Sequence, residues 1–173
     1  ILCTQESMSG TETHSPREAA IRARAASRAL QALSSEERVD VLRAIADTLE
    51  AHTDEILAAN AEDVEASKGK ISDSLLQRLI LKPAKIAQLA EGIRSIARQE
   101  EPLGHVLSAT QIAEGLELRK ISVPIGVLLI IFEARPDALP QIVALAIRSG
   151  NGLLLKGGKE AARSNALLHA LIA

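Results

Sequence analysis

The stretch "VLLIIFEARPDALPQIVALAIRSGNGLLLKGGKEAARSN", residues 127–165, decides the fold class of this chain. It opens with an unbroken apolar run, which is typical of a strand buried on both faces of a parallel sheet. A helix is predicted over 137–149, because Pro140 is tolerable in a first turn and Gly150 is placed to end it. "LLL" then predicts a second buried strand, "KGG" a turn, and 159–173 a second helix. This order predicts the start of a doubly wound, Rossmann-like α/β domain.

The sequence before this stretch predicts a helical layer. Ser34 and Glu37 have capping-box spacing, and Pro83 suits the first turn of a helix. We expect helices over 16–32, 34–49, 53–67 and 83–98, with a shorter one from Ser72.

Four segments describe the organisation of the chain. Residues 1–15 are polar and pattern-free, which favours a disordered tail or linker, and 16–100 are the N-terminal helical part. Residues 101–126 connect this part to the sheet, and "GLELRKISV" from Leu116 alternates as a half-exposed strand does. Residues 127–173 are the first strand-helix-strand-helix unit of the α/β domain.

Composition excludes several classes of function. The 173 residues carry 20 Lys and Arg against 22 Asp and Glu, a net charge of −2, so no global basic field attracts nucleic acid or an anionic membrane. An aromatic fraction of 1% excludes base-stacking platforms. The longest apolar run is too short for a bilayer. The single cysteine, Cys3, favours a reducing, cytoplasmic location, with an organellar form as the alternative.

The two ends predict a part of a longer protein. The chain opens on Ile1 with its first methionine at Met8, and it stops at Ala173 inside a predicted helix.

Two loops of the α/β unit form the candidate site. Parallel strands place their carboxyl ends at one edge, so "EARPD" and "KGGK" should be neighbours. Each loop leads into a helix N-terminus, which favours an anion, and Arg135, Lys156 and Lys159 add cations there. A phosphate-bearing ligand is the expected occupant.

Neither standard phosphate motif is present. A P-loop requires Lys at the position of Gly158 and Ser or Thr after it, and the dinucleotide fingerprint fails because Gly150 and Gly152 precede the strand. A phosphate site and a plain glycine turn with solvated lysines therefore both remain open.

Other candidate residues carry weaker signals. The four histidines lack metal-ligand spacing, so no metal site is predicted, and Cys3 has no nearby base to make it a nucleophile. Glu133 directly follows six apolar residues; it either bonds Arg135 or a ligand, or marks a strand end that reaches solvent.

The stretch over 123–165 closely resembles γ-glutamyl phosphate reductase, also called glutamate-5-semialdehyde dehydrogenase, of the aldehyde dehydrogenase superfamily. The likeness continues upstream through "ALSSEERVDVLRAIADTLE", "ANAEDVEA" and "LGHVLSATQIAEGLEL". The same reductase forms the second half of pyrroline-carboxylate synthase, which implies a fused or associated glutamate 5-kinase. The resemblance implies an aldehyde-dehydrogenase-like fold and NADPH-dependent reduction of L-glutamyl 5-phosphate to glutamate 5-semialdehyde, a step of proline biosynthesis.

The resemblance also implies roles for particular residues. Lys156 falls where the superfamily places a lysine against the adenine ribose, and Lys159 stands where NAD-preferring relatives carry a glutamate, which supports NADPH. Ala134 replaces the usual oxyanion asparagine, and Arg135 is proposed to bind the anionic substrate or its leaving phosphate. The remaining cofactor-binding residues are Ile131, Phe132, Glu133, Gly157 and Gly158.

Two further implications concern the complete protein. A cysteine thiolate attacks the acyl phosphate in this family, and we expect it beyond Ala173, since Cys3 does not match it. "GLELRKISVPIG" matches a region that packs across subunits, which implies a homo-oligomer. The rival interpretations are a phosphotransferase, which lacks its metal ligands here, and a non-catalytic helical interaction module or inactive relic.

Overall fold

Helices make up most of residues 16–97 in the structure, a computed structural model that describes residues 2–4 and 15–173. A short strand, β1 (Leu2–Thr4), comes first. It is followed by α1 (Pro16–Ala32), α2 (Ser35–Ala51), α3 (Thr53–Ser67), α4 (Asp73–Leu79) and α5 (Pro83–Ala97). The predicted helices are confirmed.

Local signals set where these helices begin. The capping box of Ser34 and Glu37 is confirmed, and Ser15 with Glu18 forms a second box at the start of α1. In each box the serine hydroxyl accepts a hydrogen bond from the glutamate N–H, and the glutamate carboxylate accepts one from the serine N–H. Two free backbone amides are thereby satisfied. Pro83 occupies the first turn of α5, as expected.

An antiparallel hairpin of β2 (Val106–Ala113) and β3 (Leu116–Ile121) follows α5. The prediction of a half-exposed β3 is wrong, because every residue of both strands is exposed. Strand β2 was not predicted at all. Alternation of apolar and polar residues arises when one face is buried, and here neither face is buried by the described residues.

Three parallel strands form the sheet, in the order β1-β5-β4. Strand β4 (Val127–Ile131) leads through α6 (Ala138–Arg148) to β5 (Gly152–Lys156), and α7 (Ala162–Ile172) follows after a short 3-10 turn over Lys159–Ala161. The predicted strand-helix-strand-helix unit is confirmed. Of residues 1–15, expected as a tail, residues 2–4 pair with β5 and Ser15 caps α1, while residues 1 and 5–14 lie outside the described ones.

The central strand β5 and the edge strand β4 differ in burial. Leu153 and Leu155 of β5 are 1% and 4% exposed, as predicted, whereas Leu129 and Ile131 of β4 are 62% and 65% exposed. The prediction that β4 is buried on both faces is therefore wrong for the described residues. An apolar run predicts a strand but does not say which of its faces a neighbouring element covers.

The core lies where α2, α5 and α6 meet. Its largest members are almost fully buried, and removing each such side chain from water contributes about 1.5–3 kcal/mol. They include Leu42, Leu49, Ile86, Ile93, Val143 and Ile147.

Helix α1 approaches the sheet closely at Gly152. A Cβ at this position would lie 2.7 Å from the carbonyl oxygen of Ala23, so only glycine permits the contact. Ser27 of α1 donates a hydrogen bond of 3.0 Å to the carbonyl of Gly126, just before β4. The helical layer thereby fixes the positions of both strands that carry the candidate site.

A buried ion cluster joins α2, α6 and the segment after α5. Glu101 accepts hydrogen bonds from Arg38 and Arg148, each at 2.9 Å, and the two arginine side chains are 5% and 6% exposed. Burial raises the pKa of Glu101, but hydrogen bonds from Ser35, the Leu103 N–H and Arg38 outweigh burial and hold the pKa below its ordinary value.

Among the described residues, no helix has the length and apolar content needed to cross a membrane.

Candidate functional site

The loops that follow β4 and β5 meet at one edge of the sheet, as predicted. The Phe132 N–H donates to the carbonyl of Lys156 at 3.0 Å, which extends the pairing of the two strands into the loops. The Ala134 N–H donates to the carboxylate of Glu160, which lies just after the second loop. The second of these bonds joins residues that are 26 positions apart in sequence.

Ala134 adopts an unusual backbone conformation in the first loop. Its φ is 43°, in the left-handed region that costs a residue with a Cβ about 1–2 kcal/mol. The bond from its N–H to Glu160 offsets this cost. Glu160 was not among the predicted site residues, and no local spacing indicates its partner.

The glycine pair in the second loop is required by packing. A Cβ at Gly157 would lie 2.3 Å from Asn165 Nδ2, and a Cβ at Gly158 would lie 2.0 Å from a carboxylate oxygen of Glu160. Gly158 thus leaves the space through which Glu160 reaches Ala134. The turn is tight, and its glycines make room for protein side chains.

Two lysines of this loop project into solvent. Lys156 and Lys159 are both exposed, and neither forms an ion pair within residues 2–4 and 15–173. They lie at the edge where β4 and β5 end. A pair of cations with no protein carboxylate to neutralise them can bind the phosphate groups of a ligand.

The start of α7 is not open to such a ligand, which corrects the expectation that its free amides receive an anion. The N–H groups of Arg163 and Ser164 donate to the carboxylate of Asp63 at 3.1 and 2.8 Å, and the Ser164 hydroxyl donates to it at 2.8 Å. Asp63 is 2% exposed and belongs to α3. Its partners lie about a hundred residues away in sequence, so no local pattern could have indicated this bond.

Helix α6 begins beside a second group of charges. Asp137 is the residue before α6, but its side chain makes no capping bond. Its Oδ2 lies 3.2 Å from Lys85 Nζ and 3.4 Å from an Arg135 guanidinium nitrogen. The first amides of α6 are satisfied by the loop, since Ala138 N–H donates to the carbonyl of Arg135 at 3.0 Å.

Two other predictions concern acidic and metal-binding side chains. Glu133 is exposed and pairs with no described residue, so it marks the end of the strand reaching solvent. The residues described contain no cluster of three or more His, Cys, Asp or Glu side chains that could hold a metal ion. The side chain of Cys3 lies outside the described part.

Several proteins of known name resemble this chain, although no protein-family model matches it. A Δ1-pyrroline-5-carboxylate synthase of Solanum lycopersicum is 58% identical over 157 residues, which is 90% of this chain and 22% of the synthase. A γ-glutamyl phosphate reductase of Natronomonas pharaonis is 49% identical over 144 residues, 80% of this chain and 33% of the reductase. The chain thus spans between a fifth and a third of the length of these relatives.

Solved structures give the same result for the fold. The γ-glutamyl phosphate reductase of Saccharomyces cerevisiae superposes with a TM-score of 0.85 at 39% identity, covering 88% of this chain and 39% of the yeast chain. A lactaldehyde dehydrogenase, at 21% identity, has a TM-score of 0.67 over 90% of this chain and 31% of its own, and this likeness concerns the fold alone. By sequence and by fold, the chain is similar to one segment of the longer γ-glutamyl phosphate reductases and pyrroline-carboxylate synthases, and it has their aldehyde-dehydrogenase-like fold.

Proposed function

We propose that this chain supplies the first half of the cofactor site, and part of the substrate site, of an NADPH-dependent γ-glutamyl phosphate reductase. The reaction reduces L-glutamyl 5-phosphate to L-glutamate 5-semialdehyde and releases phosphate, in proline biosynthesis. The observation that carries this proposal is the 49% identity to a named reductase over 80% of the chain.

The proposed cofactor site lies where β4 and β5 end. Lys156 and Lys159 bind the adenosine end, where two cations that pair with no described residue suit a 2′-phosphate better than a bare ribose. Gly157 and Gly158 keep the turn between them tight. Ile131, Phe132 and Glu133, at the end of β4, border the nicotinamide. NADPH, when bound, supplies the hydride.

The proposed substrate site adjoins the first loop. Arg135 is more than half exposed on this loop and binds the anionic substrate or its leaving phosphate. Ala134 has no donor on its side chain, and its N–H is engaged by Glu160, so a donor outside this loop stabilises the oxyanion. The thiolate that attacks the acyl phosphate comes from sequence beyond Ala173, because Cys3, the one cysteine of these residues, does not match it.

The proposed partners follow from the same reaction. A glutamate 5-kinase, fused or associated, supplies the acyl phosphate, and self-association occurs through the exposed β2–β3 hairpin. The proposed location is the cytoplasm.

The test uses the protein expressed from its complete reading frame, assayed in the reverse direction. We expect oxidation of glutamate 5-semialdehyde with NADP⁺ to depend on inorganic phosphate, because the acyl group must leave as an acyl phosphate. Expression should also restore growth without proline to a bacterial strain that lacks the reductase. A well-folded protein that fails both assays would exclude the proposed function and favour a non-catalytic module.

A further inference from the structure

An open cleft of about 580 Å³ lies between the start of α5 and the loop after β4. Its charged lining consists of Arg78, Lys82, Lys85, Arg135 and Asp137. Arg135 and Asp137 follow Ala134, whose N–H donates to Glu160 just after the KGGK turn. The cleft therefore adjoins the edge of the sheet where we place the reaction.

The charge of this cleft is strongly positive but not uniform. Four cations face one carboxylate, and Lys85 and Arg135 share that carboxylate through Oδ2. Arg78 and Lys82 are exposed, and neither has an ion-pair partner in the described part of the chain. Two cations thus remain available to an anionic group in the cleft.

Asp137 has hydrogen-bonding capacity that the described residues do not use. Its side chain is 8% exposed, and its Oδ1 is buried with no hydrogen-bond partner. Buried carboxylate oxygens are nearly always satisfied, since leaving one unpaired costs about 1–3 kcal/mol. The side chain does not cap α6 either. A donor group placed in the cleft would complete its bonding.

A carboxylate beside unpaired cations is the complement of an α-amino acid group. L-Glutamyl 5-phosphate carries an α-ammonium and an α-carboxylate at the end away from its acyl phosphate. We propose that the cleft binds this end of the substrate: Asp137 accepts from the α-ammonium, while Arg78 and Lys82 bind the α-carboxylate. This inference rests on the proposed function, and it assigns the recognition of the substrate to its α-amino acid end.

Aldehydes that lack one group at a time test this assignment. In the NADP⁺- and phosphate-dependent direction, glutamate 5-semialdehyde is compared with 5-oxopentanoate, which lacks the ammonium, and with 4-aminobutanal, which lacks the carboxylate. The quantity measured is the ratio of kcat/KM values between two aldehydes, in each variant relative to wild type. Differences in hydration and ring closure of the aldehydes then cancel.

We expect Asp137→Asn to reduce the preference for glutamate 5-semialdehyde over 5-oxopentanoate by about 10–100-fold, the size of one charge-assisted hydrogen bond. Its preference over 4-aminobutanal should change little. The double variant Arg78→Gln with Lys82→Gln should instead reduce the preference for glutamate 5-semialdehyde over 4-aminobutanal. Its preference over 5-oxopentanoate should change little. Lys70→Gln, an exposed lysine outside the cleft, should retain both wild-type ratios.

The outcomes separate this inference from the proposed function. If Asp137→Asn and the double variant lower kcat/KM for all three aldehydes by the same factor, the residues have a structural role and the inference is wrong. If the wild-type protein shows no phosphate-dependent oxidation of glutamate 5-semialdehyde, the proposed function fails and this inference fails with it.

Discussion

Lys159 lies exposed on the turn after β5 and meets no carboxylate of the described residues. It lies beside Gly158, at the edge where β4 and β5 end. The choice between a phosphate site and a plain turn therefore depends on what these side chains bind, since the backbone of the loop resembles neither standard phosphate motif. Spacing in the sequence could place the lysine but could not show that it lacks a partner.

Lys159→Glu should change which nicotinamide cofactor the protein uses. A glutamate there repels a 2′-phosphate and can accept from ribose hydroxyls, so we expect the KM for NADPH to rise at least about tenfold. The KM for NADH should rise less or fall. Steady-state kinetics with both cofactors measures this, with Lys70→Glu as a charge-matched control outside the site. Equal changes for the two cofactors would contradict a role in 2′-phosphate binding.

Glu160 holds Ala134 in the left-handed region, and the two positions should therefore be energetically coupled. Glu160→Ala removes a bond to a charged acceptor and should lower the free energy of unfolding by about 1.5–3 kcal/mol. Ala134→Gly should lessen that loss, because glycine adopts positive φ without strain. Urea unfolding of the two single variants and the double variant measures the coupling.

Strictly additive effects of Glu160→Ala and Ala134→Gly would show that the bond does not maintain this conformation. The same variants should lower kcat if the loop positions Arg135 for catalysis. This bond joins positions 26 residues apart, which explains why sequence spacing did not reveal it.

Helix boundaries were predictable because their causes are local. The capping box at Ser34 and the proline at the start of α5 act within a single turn, and the structure confirms both. Contacts between elements were not predictable in the same way. Glu101 joins α2 and α6 through two arginines that are far apart in sequence, and its role depends on a burial that composition does not reveal.

Glu101→Gln should destabilise the contact between α2 and α6. It leaves Arg38 and Arg148 buried without a counter-charge, so the free energy of unfolding at neutral pH should fall by about 3 kcal/mol. Denaturant unfolding measures this fall. Asp40→Asn, which breaks an exposed ion pair with Arg43, should cause only a small fraction of it.

The effect of Glu101→Gln should also depend on pH. The pKa of Glu101 is lower in the folded state than in the unfolded chain, so its stabilisation is complete above the ordinary carboxylate pKa of about 4.3 and is lost as the pH falls through the folded value. The difference in unfolding free energy between wild type and variant should therefore shrink below about pH 4. A difference that stays constant down to pH 2 would show that the carboxylate charge is not the cause.

The described residues expose a group of large apolar side chains, and several of them lie in the β2–β3 hairpin. In the hairpin, Leu107, Ile112 and Leu118 are each 60% exposed. Such a surface is typical of an interface. Strand β2, whose residues are all exposed, was not predicted from the sequence.

Charge on the hairpin should disrupt self-association. Leu116 and Leu118 lie on one face of β3, and Leu116→Asp with Leu118→Asp places two desolvated carboxylates in the proposed interface. We expect light scattering coupled to gel filtration to show a molar mass reduced to half or less. Ile21→Asp, at an apolar residue of equal 60% exposure on α1, should leave the mass unchanged. An unaltered mass in the hairpin variant would show that the interface lies elsewhere.

Asp63 determines how the cofactor site should respond to ionic strength. Because this carboxylate occupies the amides at the start of α7, the phosphate recognition proposed at this edge depends on the exposed side chains of Lys156 and Lys159. Attraction between exposed charges is screened over about 8 Å at physiological salt, whereas a buried helix end is screened much less. Added potassium chloride should thus weaken the binding of NADPH more than the binding of NADH. The preference between the two cofactors would then depend on the salt concentration around the protein.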